Sequence, residues 1–183
     1  MLVTSFGPTE AFIYKRGFAR LSSEQYSTDA KSLGNRFVHL TNSSVNNSNS
    51  THSDVTDDDK ERGGSKVSLE FCFKRMQQRG IDTDAVWHSI VDVVCKSLYC
   101  VQDVIPWHPS AFELFGYDVL IDCDLKPWLI EVNSSPSLAR DNALDHEIKD
   151  ALLRDVLAVV DAPAVDRTAL RDVLQVRRLK RDV

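Results

Sequence analysis

Across residues 112–138, FELFGYDVLIDCDLKPWLIEVNSSPSL, apolar and polar positions alternate in two short runs. Residues 115–122 are rich in Tyr, Val, Leu and Ile, and residues 127–133 in Trp, Leu, Ile and Val, the composition of strands. The polar CDLK between them suits a four-residue hairpin loop. That loop sets Asp122 opposite Pro127, Leu120 opposite Leu129, and Asp118 opposite Glu131. Side chains alternate faces along a strand, so Glu131 and Asn133 share a face, and Asp118 projects from that face across from Glu131. Tyr117, Val119, Ile121, Trp128, Ile130 and Val132 form the opposite, core face.

Helical periodicity takes over elsewhere. Over residues 82–104, Val86, Ile90, Val93, Val94, Leu98, Val101 and Val104 recur at helical spacing, with Asp82 as the cap and Pro106 as the limit. Ser65 caps a helix over 66–80, with Leu69, Phe73 and Met76 on one face and Gly80 as its stop. A helix over 144–160 turns Ile148, Leu152, Val156 and Val159 inward, and Pro163 breaks it. A last helical segment over 166–180 ends in RRLKR, a charge pattern that suits a helix C-terminus. Near the start, Leu2, Val3 and Thr4 read as the end of a strand. Residues 11–14 and 18–21 form a hairpin across Lys15, Arg16 and Gly17, and residues 36–41 a short strand. Residues 45–64, rich in Asn, Ser, Thr and Asp, read as a surface loop. These elements make a mixed α/β (α+β) protein, mostly antiparallel sheet packed by helices. Residues 1–160 form one unit with a variable loop at about 43–64, and residues 161–183 a helical tail.

Composition narrows the classes. A chain of 183 residues, 43% hydrophobic and 27% charged, can form a domain with a real core. The net charge of -5 gives no general case for nucleic acid. Cys72, Cys95, Cys100 and Cys123 lack CxxC spacing and read as thiols in a reducing compartment. No apolar run is long enough for a membrane span, and the first residues lack a signal peptide's pattern. The run Asp57-Asp58-Asp59 lacks the ligand and glycine spacing of a calcium loop.

The face shared by Asp118, Glu131 and Asn133 is the first candidate site. Carboxylates directly opposite one another repel, by a few tenths to about 1 kcal/mol. Either they lie on a solvated sheet face, or a cation joins them; two carboxylates and an amide oxygen suit Mg²⁺ or Mn²⁺ rather than zinc. By residue type alone, Arg20 is an exposed strand arginine, Thr41 and Asn42 open a turn, Lys66 is an exposed lysine, and His88 is structural or exposed.

Three stretches resemble the tubulin–tyrosine ligase-like family. They are LVTSFGPTEAFIYKRGFARLSSEQYS, RFVHLTNSSVNN and FELFGYDVLID with LKPWLIEVNSSPSL. The resemblance covers residues 2–160 and implies an ATP-grasp-like fold, of which this would be the C-terminal portion of the catalytic domain. It implies magnesium ligands at Asp118, Glu131 and Asn133, with Glu131 able to bridge two ions and Mn²⁺ able to substitute. Arg20 and Lys66 would hold the carboxylate of an incoming amino acid, a natural task for Arg20's planar fork. Thr41 and Asn42 would lie near the ATP phosphates. Ser43, Ser44 and Asn133 would line the amino-acid pocket. Ser43 stands where the family often has tyrosine, Asn47 where it has lysine, and Val67 where it has tryptophan. The implied reaction is ATP-dependent amide formation on a protein carboxylate through an acylphosphate. Glu131 and Arg20 carry the catalytic roles, and no general base is evident. The wording of the motifs is most like the glutamylating branch, which adds free glutamate to the acidic tails of tubulin in microtubules. Glycine ligation is the alternative within the class. These partners imply a cytoplasmic, cytoskeletal setting, with the cilium, flagellum or basal body as its usual places. A non-catalytic remnant that binds metal or tubulin is the alternative from another class. It arises because no GxxxxGK[ST] loop is present and the family's preceding lobe supplies the phosphate-binding lysines.

Overall fold

A computed structural model describes residues 1–22, 24–41, 66–106, 108, 111–161 and 170–171. The predicted loop at 45–64, the bulk of the C-terminal helix at 166–180, and Asn42, Ser43 and Ser44 lie outside the described residues. The described elements are mixed α/β with antiparallel pairing throughout. Strand β1 (Leu2–Phe6) is flanked by β2 (Thr9–Phe12) and β5 (Glu113–Leu114). Strand β3 (Phe18–Arg20) pairs with β4 (Lys66–Ser68), and β6 (Gly116–Ile121) with β7 (Pro127–Asn133). The helices are α1 (Arg36–His39), α2 (Leu69–Gln78), α3 (Thr83–Val101) and α4 (Ala143–Val160).

Leu2, Val3, Val38, Val67, Val86, Val94, Leu98, Leu144, Ile148 and Val156 are the buried apolar residues. Helix α3 is capped as its sequence predicts, Asp82 Oδ1 accepting from the backbone N–H groups of Asp84 and Ala85. It packs on the β6–β7 hairpin, where Ser97 Oγ lies 2.8 Å from Tyr117 OH. Helix α2 leans on α3 through an edge-to-face pair, Phe73 and Trp87, and a 2.7 Å bond from Gln77 Nε2 to Thr83 Oγ1.

Several local expectations are revised, some by nearby caps and turns and one by a long-range pairing. The hairpin of residues 11–14 with 18–21 does not form. β2 instead folds back on β1 through the turn at Gly7 and Pro8, so the loop that closes is short. β3 then takes a partner from beyond the acidic loop, and Gly17 O accepts from Leu69 N at 2.8 Å. The strand expected at 36–41 is a helical turn, because the Asn35 side chain caps Phe37 N at 3.0 Å and turns the chain. Lys66 opens a strand rather than a helix. The helix begins at Leu69, capped by Ser68 Oγ on Phe71 N at 3.1 Å.

The hairpin carries a register correction. Residues 123–125 form a three-residue loop, not four, with Leu125 in the left-handed region at φ 63°. Ile121 therefore faces Pro127, Leu120 faces Trp128 and Val119 faces Leu129, one step away from the expected pairing. Asp122 drives this geometry. Its carboxylate accepts from Asp124 N, Lys126 N and Trp128 Nε1 at 2.9, 2.9 and 2.7 Å. A bulge at Ile130 then absorbs the slip and returns Asp118 to a position opposite Glu131. Trp128 consequently moves off the expected core face, and Leu129 shares the face of Val119 while remaining exposed. Trp128, Ile130 and Val132 are exposed, as are Val101, Val104 and Val159. Tyr117, Val119 and Ile121 are half-buried, and Tyr117 meets α3 at Ser97.

Candidate active site

The β6–β7 hairpin supplies an acidic arm. Asp118 and Glu131 are cross-strand partners, and Gly116 faces Asn133. Asn133 Nδ2 donates to Glu131 Oε1 at 3.1 Å. Burial pushes the Asp118 carboxyl up from its ordinary value. The hydrogen bond and charge of Glu131 push the same way, while the Arg20 charge and the Asn133 amide pull it down. Two carboxyls and an amide therefore converge within hydrogen-bonding reach on an exposed sheet face. Gly116 lets the chain after Asn133 fold back closely: a Cβ there would lie 3.0 Å from Pro136 Cβ and 3.7 Å from Asn133 Cβ.

That donor set is hard, anionic and self-repelling, which fits a divalent cation such as Mg²⁺. Among the described residues, no group of three or more His, Cys, Asp or Glu forms a metal cluster. The arm offers two carboxylates plus the Asn133 amide oxygen.

The β3–β4 ribbon supplies a cationic arm. Arg20 and Lys66 are directly opposite one another, so their side chains leave the same face. The two lie 46 positions apart in sequence, and only the pairing of β3 with β4 joins them. Arg20 is exposed and its charge reaches Asp118, which links the arms. Lys66 is buried, contrary to the exposed lysine that its residue type suggests. Its ammonium lies 2.6 Å from Asp145 Oδ1 and 4.6 Å from the centre of the Phe18 ring.

Asp145 and Lys149 were not singled out by the sequence. Asp145 is fully buried at the start of α4. Lys149 Nζ lies 3.3 Å from the same Oδ1, donates to Ala139 O, and stands 5.8 Å from the Phe18 ring. Burial raises the Asp145 pKa, but the hydrogen bonds and charges of Lys66 and then Lys149 prevail, and it lies below its ordinary value. A signal was available. Asp145 and Lys149 fall at helical spacing among Ile148, Leu152 and Val156, so the inward stripe of α4 carries an acid and a base.

The remaining predicted positions divide simply. Thr41 is half-buried just after α1. Asn42, Ser43 and Ser44 lie outside the described residues. His88 is exposed and its Nδ1 is 2.7 Å from Asp84 O, within its own helix.

The family model described as "Tubulin-tyrosine ligase family" matches residues 1–169. Human tubulin polyglutamylase TTLL5 is 39% identical over 168 residues, which is 87% of this chain and 13% of that protein. Human tubulin monoglutamylase TTLL4 is 38% identical over 165 residues, covering 85% of this chain and 14% of its own length. The zebrafish tubulin polyglutamylase ttll6 is 37% identical over 194 residues, with 98% and 24% covered. The chain thus spans between about an eighth and a quarter of these relatives.

Proposed function

The chain belongs to the tubulin-tyrosine ligase family, and from that premise we propose that it is part of an ATP-dependent ligase that adds glutamate to glutamate side chains of tubulin tails. The ATP-grasp-like architecture of the family accounts for the mixed α/β elements with antiparallel sheets. The observation that carries the proposal is the meeting of two oppositely charged arms. Asp118 faces Glu131 on one hairpin, Arg20 faces Lys66 on another ribbon, and Arg20's charge reaches Asp118.

Each arm has a task. Asp118, Glu131 and Asn133 would hold magnesium, which supplies charge neutralisation for the phosphates of ATP. Arg20 and Lys66 would receive the carboxylate of the free amino acid, Arg20 through its fork and Lys66 as a point charge. Thr41 and Asn42 would lie beside the phosphates. The acceptor carboxylate would take the γ-phosphoryl group of ATP to become an acylphosphate. The neutral amine of the amino acid would then attack the acyl carbon, form the amide and release phosphate. Orienting that amine against the acyl carbon is the contribution of the cationic arm. The glutamylating relatives support glutamate as the amino acid and tubulin as the acceptor. Tubulin in turn implies a cytoskeletal site, and the cilium or basal body is a place to look for it. Among the described residues, no helix is long and apolar enough to cross a membrane.

The test is ligation by the full-length protein on microtubules with ATP, Mg²⁺ and labelled glutamate, glycine or tyrosine in parallel. Label from glutamate alone supports the reading. Label from glycine alone moves the protein to glycine ligation. No label from any of the three overturns the ligase reading.

A further inference from the structure

A carboxylate with no exposed surface holds two lysines on one oxygen. Asp145 lies on α4, Lys66 on β4, and the Phe18 ring under both ammonium groups on β3. Nothing in the sequence neighbourhood of Lys66 explains why its charge should be buried. A lysine beside an exposed arginine on a two-stranded ribbon would ordinarily extend into water.

The cluster explains it. Asp145 is itself tied down: its backbone N–H donates to the Asn142 side chain at 2.9 Å, and its Oδ2 accepts from Asp141 N at 3.4 Å. Its Oδ1 is then fixed under Lys66. Lys149 adds a second positive charge, so the cluster as a whole keeps a net charge of +1. Lys66 spends one of its three donors on Asp145 and retains the others. The ribbon points this retained charge to the same face as Arg20.

We propose that Asp145 is a positioning residue for the amino-acid carboxylate: it locks the Lys66 ammonium beside Arg20, with Phe18 as the floor and Lys149 keeping the cluster positive. This deepens the ligase reading and rests on it. Asp145 touches no substrate; it acts through Lys66. Without it, Lys66 would be free to swing to solvent, and the incoming carboxylate would lose one of two prearranged partners.

The experiment uses the full-length protein and Asp145→Asn, which keeps shape and removes charge. Val156→Ala, a buried change on the same helix away from the lysines, reports what loosening α4 does by itself. Steady-state kinetics with glutamate and with ATP varied separately are paired with the rate of reductive methylation at Lys66, read by mass spectrometry. For Asp145→Asn, the KM for glutamate rises about ten- to a hundredfold, the loss expected for one charged hydrogen bond. The KM for ATP and kcat stay within about twofold, the signature of lost amino-acid binding. Lys66 methylation accelerates about tenfold or more as the amine is released from its charged hydrogen bond. Val156→Ala changes none of the three. An unchanged Lys66 labelling rate in Asp145→Asn overturns the proposal, as does a KM for glutamate that moves no further than in Val156→Ala. A wild-type protein that ligates no amino acid sinks the ligase reading instead, and its Lys66 labelling still decides whether Asp145 holds the ammonium.

Discussion

The hairpin of β6 and β7 and the cluster under β3 and β4 solve opposite electrostatic problems. Asp118 and Glu131 are like charges, exposed, and left facing each other. Lys66, Asp145 and Lys149 are mixed charges, shielded from solvent, and gathered on one carboxylate with one positive charge to spare. Burial pushes on both aspartates in the same direction, yet the pKa of Asp118 ends above its ordinary value and that of Asp145 below it. The neighbours decide: another carboxylate for one, two ammonium groups for the other. One region gathers its charges around a shared carboxylate, and the other leaves two carboxylates facing each other.

The largest effect is expected from breaking the closed region. Asp145→Ala removes the carboxylate that two lysines share; the cost is bounded by the about 3 to 5 kcal/mol of a stranded buried charge, less what Lys66 recovers by turning to solvent. Urea unfolding at neutral pH reads this directly. The pH dependence carries a sign. Because the folded-state pKa of Asp145 is depressed, its stabilisation is present above its ordinary value of 3.8 and is lost as pH falls through the lower folded value. Unfolding midpoints measured down the acid limb should fall less steeply in Asp145→Asn than in wild type. Equal slopes would mean that the cluster is not formed in solution.

Breaking the open region should remove activity and spare the fold. Glu131→Gln keeps the shape of the hairpin and removes one of two facing charges. Ligation should drop by about a hundred- to a thousandfold, the usual scale for losing one group that supports transition-state charge. The far-ultraviolet circular dichroism and the unfolding midpoint should hold. Near-normal turnover would sink the metal assignment.

A smaller effect sharpens the geometry of the open arm. Gly116→Ala places a methyl 3.0 Å from Pro136, so the turn after Asn133 must move. Overpacking of this kind costs about 1 to 3 kcal/mol. Because Asn133 faces Gly116, the magnesium concentration for half-maximal activity should rise as well. An unchanged magnesium requirement would show that Asn133 is not held by this packing.

The smallest effect separates the arms most cleanly. Asp118→Asn should stabilise the metal-free protein at neutral pH by a few tenths of a kcal/mol, since the repulsion it relieves is exposed and screened. The pKa of Asp118 is raised, so its unfavourable contribution is absent at low pH and grows as pH rises from 3.8 through the folded value. That is the reverse of the Asp145 limb. A destabilised Asp118→Asn would mean that the pair is already bridged by something other than an added cation.

Legibility followed the range of the interactions only in part, since the local caps at Asn35 and Ser68 were missed. The bounds of β7, the Asp82 cap of α3 and the body of α4 were visible, because caps and periodic stripes are local. The facing of Asp118 and Glu131 was also predicted, although by a path that the molecule does not take. The loop is one residue shorter than expected, and a bulge at Ile130 restores the pair. The slip surfaced instead in Trp128, which changed faces. Lys66 was selected through resemblance while its surroundings were misjudged, since its partners lie on α4, some eighty positions away.

Residue order alone specifies the strand and helix segments that carry their own caps and periods, the face shared by Glu131 and Asn133, and the motifs that carry the family. Tertiary packing selected the partner of β3, buried Lys66, and brought the charge of Arg20, a member of the cationic arm, to Asp118. The reason is physical. Periodicity and capping are settled within a few residues, whereas a buried charge is tolerable only when a partner from another part of the chain neutralises it.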